Sequence, residues 1–399
     1  MKSFTVLVFG MTFFLCLGLA EPKGCELDTV PVSVYSGNLS YTGTQPAEKM
    51  KTLADNAVKS LKDAPDAMLY VLPELILTPN PVDKDDFNDV KEASPYAYRA
   101  PPLHQIPVTD PFEQFAKVAK DRKAFIQFGF LEKGTGDDEG KLYNSALVIG
   151  PDGRVKAKHR KVNLVNTKFA NESKYITAGN SATTFDASSV SLGTVGIAIC
   201  ADIYDTADIN DEENKSLKEM NLAIEAYEKN PTPKEREKIL ALVEKIKEIS
   251  LRAPAHLIEK YRGANVDLLA VSAHWLEKED SEEGFTYKWT PKEFFQNTAK
   301  YLNHPNRESS LSRYPMKMPE GFLSGIDYKQ RKDRNVYVAF SNMVSMAPTV
   351  GIYGPGGRYL VQRKTTQEGW VVGCVPSVKS QKVEIPKPHE LNNHGLRPR

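Results

Sequence analysis

The chain has 399 residues, 41% of them hydrophobic and 26% charged, ordinary values for a globular protein with a full-sized core. Its 52 basic and 51 acidic residues leave a formal net charge of +1, which argues against nucleic acid or an anionic membrane as the main partner. The 7 histidines are scattered, without the paired spacing of zinc ligands, so the sequence lends little support to metal catalysis.

Lys2, the apolar run Val6 to Leu17 and the small residues of Gly18-Leu19-Ala20 read as a cleaved secretory signal over residues 1–20. The run is too short to span a bilayer comfortably. The polar end, Lys387 to Arg399, offers no tail for a lipid anchor. A secreted, extracellular protein without a stable membrane anchor is therefore expected. In that compartment Asn38, Asn171 and Asn214, each in an Asn-x-Ser sequon, are candidate glycosylation sites.

Strands and helices alternate from there on. Val30 to Tyr35 predicts a first strand. Ala47 to Leu61 predicts an amphipathic helix with Met50, Leu53, Ala54, Ala57, Val58 and Leu61 on one face. Met68 to Leu72 reads as a short buried strand. Asp110-Pro111-Phe112-Glu113 reads as a helix start, with Asp as cap, Pro at the first helical position and Glu closing a capping box. Ala124 to Phe130 is the next strand. Leu142 to Ile149 and Arg154 to Lys158 flank the hairpin turn Gly150-Pro151-Asp152-Gly153. Gly193 to Ile199, Asp267 to Ser272, Val336 to Ser341 and Trp370 to Val375 are further strands. Gly354-Pro355-Gly356-Gly357 makes a second hairpin, between Thr349–Tyr353 and Tyr359–Gln362. This alternation predicts a layered α/β protein. The charged stretch 205–250 and the polar stretch 277–321 fit poorly and read as insertions.

Removal of residues 1–20 would leave Cys25, Cys200 and Cys374. Exposed thiols tend to pair in an oxidising compartment, and domain termini are often close together. A Cys25–Cys374 disulfide is expected on that ground, with Cys200 left free.

Four residues carry chemistry together. Glu74 ends the strand in Val71-Leu72-Pro73-Glu74-Leu75. Lys161 follows the first hairpin in His159-Arg160-Lys161-Val162. Glu172 lies in Asn171-Glu172-Ser173, and Cys200 ends the strand Val195 to Ile199. Singly each has a bland reading: a solvated carboxylate, one member of a wet basic run, a core thiol. Together they supply what amide cleavage needs. A thiol attacks only as thiolate and is mostly protonated at neutral pH. Glu74 can act as its general base and return the proton to the leaving amine. Lys161 can stabilise the oxyanion. Glu172 can hold Lys161, keep it charged or help position the attacking water.

On these residues the sequence resembles the nitrilase, or carbon–nitrogen hydrolase, superfamily. The resembling blocks are Pro73-Glu74-Leu75, then Tyr143-Asn144-Ser145-Ala146 through Pro151-Asp152-Gly153 to Arg160-Lys161, then Glu172 with Tyr175 and Gly179, and Cys200-Ala201-Asp202. They continue with Gly263 to Leu269 before Ser272-Ala273-His274-Trp275, Asn335 to Val338 and the Gly354–Gly357 hairpin. The resemblance implies a four-layer α-β-β-α sandwich over 21–399, interrupted by the two insertions. It also implies a Glu-Lys-Cys triad with a second Glu, a thioester intermediate and no cofactor. Cys200 would be the nucleophile, Glu74 the general base, Lys161 the oxyanion stabiliser and Glu172 the supporting carboxylate. The substrate would be a small-molecule amide. A homodimer is compatible with the sequence.

With secretion, the resemblance extends to the vanin and biotinidase branch, which implies a pantetheine- or biotin-type amide. The chain departs from that branch, whose members carry a further C-terminal domain, because only residues 376–399 follow the last expected strand. Ile203-Tyr204-Asp205 also replaces the usual residues after the nucleophile. Two alternatives stand beside this reading. One is hydrolysis of a nitrile or an N-carbamoyl amine. The other is a secreted binding protein that keeps the fold without turnover.

Overall fold

A computed structural model of the chain describes residues 25–26, 28–79, 87–165, 171–203, scattered positions within 215–261, and 264–274, 336–343, 350–354, 359–362 and 368–379. The expected signal, Asn214, most of 205–250, all of 277–321 and the tip of the second hairpin lie outside them.

The strands in chain order are β1 (Thr29–Ser36), β2 (Leu69–Val71), β3 (Tyr98–Arg99), β4 (Phe125–Lys133), β5 (Leu142–Ile149), β6 (Val155–Arg160), β7 (Thr183–Asp186), β8 (Thr194–Ile199), β9 (Leu268–Ala273), β10 (Tyr337–Asn342), β11 (Gly351–Tyr353), β12 (Tyr359–Gln362) and β13 (Gly369–Pro376). The α-helices bounded within the described residues are α1 (Pro46–Asp63), α2 (Val90–Ala93) and α3 (Phe112–Arg122). The main path of the sheet runs β6-β5-β4-β2-β1-β10-β9-β8-β7. Its two halves fold face to face.

Period-two alternation builds the layers. On β2, β4 and β5, Leu69, Val71, Phe125, Ala146 and Val148 face inward, against Val195, Ile197, Leu268 and Ala270 of the other half. The alternate residues Tyr70, Leu72, Ile126, Phe128, Leu147 and Ile149 face outward and are covered by α1 and α3. The face of α1 expected from the sequence is the buried one, residue for residue. On the outer side of the second half, Tyr261 packs beside Gly196 and donates its hydroxyl to the Ile197 carbonyl. The mixed α/β sandwich expected from the sequence is therefore present.

The halves are also pinned by polar bonds. Gln127 Nε2 donates to Ala270 O at 3.2 Å and to Ser272 Oγ at 3.1 Å, and Ser272 Oγ donates to Leu72 O at 2.7 Å. Cys25 and Cys374 form a disulfide, and β13 pairs antiparallel with β1 along its whole length.

One local expectation fails. The second long helix begins at Phe112 with Pro111 as its cap position, and no capping box forms around Asp110. The first turn hangs on backbone carbonyls instead, with Glu113 N–H on Thr109 O and Phe115 N–H on Pro111 O. Asp110 accepts from the Gln114 side chain at 3.3 Å.

Candidate active site

Each of the four candidate residues follows a strand or sits in a loop beside strand ends. Glu74 lies just past β2, Lys161 just past β6 and Cys200 just past β8. Glu172 opens a short 3-10 turn, Glu172–Lys174. The rigid sandwich brings all four into one buried cluster, where a loop-only site would be less exactingly held.

Lys161 is its centre. The ammonium donates to Glu74 Oε1 at 2.8 Å and to Glu172 Oε1 at 2.7 Å. Glu172 is held from behind: its Oε2 accepts from the Val165 N–H at 2.6 Å, and its own N–H donates to Val165 O. Glu74 is held on both oxygens. Oε1 also accepts from Asn144 Nδ2 at 2.6 Å, and Oε2 accepts from the His274 backbone N–H at 2.7 Å. Asn144 and the His274 N–H were not singled out in the sequence, although both lie inside resembling blocks. A backbone donor leaves no mark in residue identity, and Asn144 reads there as one polar residue in a buried strand.

Close approach of backbone matters here. A Cβ at Gly129 on β4 would meet Glu74 Cα and Pro73 O, each at 2.8 Å, so a side chain there would push the Glu74 segment away. Cys200 sits at φ +43, in the left-handed region that a non-glycine residue rarely occupies. Such a conformation costs on the order of 1–3 kcal/mol and persists only where surrounding bonds over-determine it.

The electrostatics define a resting state. Burial pushes the Cys200 thiol well above its ordinary range, and the Glu74 carboxylate adds to this; Lys161 and the His274 N–H oppose them without winning. Burial disfavours the Lys161 charge, but the Glu172 and Glu74 carboxylates outweigh it and hold the ammonium well above the ordinary lysine value. Burial raises Glu172 despite the opposing Lys161 charge. At rest the site therefore holds a protonated thiol beside an ammonium that bonds two glutamate carboxyl groups. Such a set can accept a proton from sulfur at Glu74 and offer a cationic donor to a developing oxyanion.

The sequons fall differently. Asn171 is half-buried and bonds Ser173, while its neighbour Glu172 is buried in the cluster. The two adjacent side chains thus serve different environments.

A thiol, two carboxyl groups and an ammonium thus meet at the strand ends of a two-sheet sandwich. Residues 37–206, which include all four, match the family described as Carbon-nitrogen hydrolase. The chain is similar to the chloroplastic omega-amidase of Arabidopsis thaliana, 28% identical over 194 residues, 46% of either chain. It is also similar to omega-amidase NIT2 of Homo sapiens, 34% identical over 96 residues, 23% of this chain and 33% of that one. The matched part spans less than half the length of each. The solved structure of Saccharomyces cerevisiae Nit3, a member of branch 10 of the nitrilase superfamily, superposes with a TM-score of 0.49 and 14% identity, covering 90% of this chain and 95% of that one.

Proposed function

We propose that the protein hydrolyses a linear small-molecule amide through a Cys200 thioester. The observation that carries this reading is the buried Lys161 ammonium bonded to both Glu74 and Glu172 beside a free thiol. Glu74 takes the thiol proton as sulfur attacks the carbonyl carbon. Lys161 donates to the oxyanion of the tetrahedral intermediate. Glu74 then returns the proton to the nitrogen, the carbon–nitrogen bond breaks and the amine or ammonia leaves. Water attacks the thioester as Glu74 accepts its proton, the acid departs and the thiol is restored. Glu172 keeps Lys161 charged and in place.

The likeness to omega-amidases suggests terminal amides of small acids as substrates. The expected secretory leader and the Cys25–Cys374 disulfide support a secreted enzyme, for which pantetheine- and biotin-type amides are the further candidates. The test is a panel of short amides, terminal amides of dicarboxylic acids, pantetheine, biotin amides, nitriles and ureido compounds, run beside Cys200→Ala. Amine or ammonia release from an amide, absent in Cys200→Ala, is expected. Equal turnover by that variant sinks the mechanism, and release from a nitrile or ureido compound alone moves the reading to those substrates.

A further inference from the structure

The catalytic scheme leaves a second buried constellation unused. Asp202, two residues after Cys200, is fully buried, and so is His159, two residues before Lys161. Asp202 Oδ1 accepts the backbone N–H groups of Val162 and Asn163, both at 2.9 Å. Its Oδ2 accepts the Ile199 N–H at 3.0 Å and faces His159 Nε2 at 2.8 Å. One carboxylate thus bonds the two residues after Lys161 and the residue before Cys200. Asn163 Nδ2 adds a longer bond to Ala201 O at 3.4 Å.

β6 and β8 are not neighbours in the sheet; they face one another across the two halves. No ladder of backbone bonds sets how the end of one lies against the end of the other. Asp202 supplies that missing link at the two strand ends bearing the ammonium and the thiol. The same carboxylate, through Ile199, braces the backbone just ahead of the left-handed Cys200. His159 completes it. A carboxylate only accepts, so His159 Nε2 carries the proton toward Asp202, and Nδ1 accepts from Thr183 Oγ1 at 3.1 Å when the ring is neutral. Thr183 lies on β7, so the brace extends to a third strand.

We propose that Asp202, held by His159, is the positioning residue that sets Lys161 against Cys200. The proposal rests on the amidase reading for its kinetic consequence, but its geometric consequence stands apart from that reading. A displacement of about 1 Å at reacting groups can cost on the order of 10²-fold in rate. Asp202→Asn replaces one accepting oxygen by a donor that faces donors. It is expected to lower kcat by about that factor while KM changes little, when assayed well below the melting temperature of the variant. His159→Phe removes one bond and is expected to lose less. His159→Gln, which can still donate to Asp202, is expected to recover much of the His159→Phe loss.

Crystal structures of Asp202→Asn and His159→Phe supply the second readout. In Asp202→Asn, Cys200 is expected to leave its positive φ or Lys161 to shift relative to Glu74. Folded Asp202→Asn with both residues unmoved and kcat unchanged overturns the proposal. If Asp202→Asn does not fold, His159→Phe decides: undiminished kcat with unmoved Lys161 and Cys200 overturns it equally. Should the wild type turn over no amide, the amidase reading fails and the crystallographic arm still decides whether Asp202 sets the two strand ends.

Discussion

Lys158, Arg160 and Lys161 belong to one basic run, yet they build two unlike clusters on opposite faces of the same strand end. Lys161 points into the sandwich, with a side chain 1% exposed, and binds Glu74 and Glu172. Lys158 and Arg160, with side chains 25% and 22% exposed, point outward. Both bind the buried Glu132, at 2.5 and 2.7 Å, and Arg160 also binds Asp138 at 2.6 Å and lies over the Tyr143 ring at 3.6 Å. The residue chemistry is nearly the same on the two faces. What differs is the remaining neighbour: the inner cluster has a thiol, and the outer one is partly exposed and borders a polar cleft of about 450 Å³ lined by Lys141, Asn180 and Ser181. An ion pair becomes a candidate reaction centre through what stands beside it, and period-two alternation decides which lysine gets which neighbour.

The comparison breaks most visibly at the inner lysine. Lys161→Met is expected to lower amide turnover on the order of 10²–10³-fold, through loss of the oxyanion donor and the charge between two carboxylates. Steady-state kinetics alongside a thermal melt check this; a folded variant with near-normal kcat removes Lys161 from the mechanism. At the outer face the currency changes from rate to stability. Glu132→Gln leaves Lys158 and Arg160 short of their shared anion and is expected to cost about 3 kcal/mol in denaturant unfolding, while turnover falls far less than in Lys161→Met.

Burial works against the Glu132 charge, but Arg160 and Lys158 outweigh it and hold the carboxyl below its ordinary range. A depressed carboxyl contributes fully above its unfolded pKa, about 4.3 for a glutamate, and loses that contribution as pH falls through the lower folded value. The wild-type advantage over Glu132→Gln should therefore shrink in strong acid. A difference that is constant from pH 7 to pH 2 argues against the charge as its source.

Cys200 offers a subtler test. Because burial and Glu74 raise its thiol, alkylation by iodoacetamide in the absence of substrate should keep accelerating with pH through the range near 8.5 where a free thiol levels off. Levelling at or below that range would mean a resting thiolate. The smallest effect is expected at Lys158→Met, under about 1 kcal/mol, since Lys158 is partly solvated and Glu132 keeps Arg160 and Ser145.

Most strands were legible because their signals are local. Leu142 to Ile149 matches β5, and the buried face of α1 follows from its 3.6-residue spacing. β7, a short stretch of Thr183–Asp186, was not anticipated: its residues carry little apolar alternation, and it becomes a strand by pairing with β8. The expected cap at Asp110 failed because backbone carbonyls already serve the first turn of α3.

Residue types and order by themselves determined the α/β alternation and the four residues to watch, since periodicity and chemistry are written in identity and spacing; the Cys25–Cys374 bond was only an expectation until the fold brought the two thiols together. Tertiary structure alone decided that Asn144 and the His274 N–H hold Glu74, and that Asp202 joins two strands which never pair. Apart from the bond of Ile199 to Asp202, those contacts link positions 40 to 200 residues apart in the chain, and their donors are mostly backbone N–H groups that every sequence has.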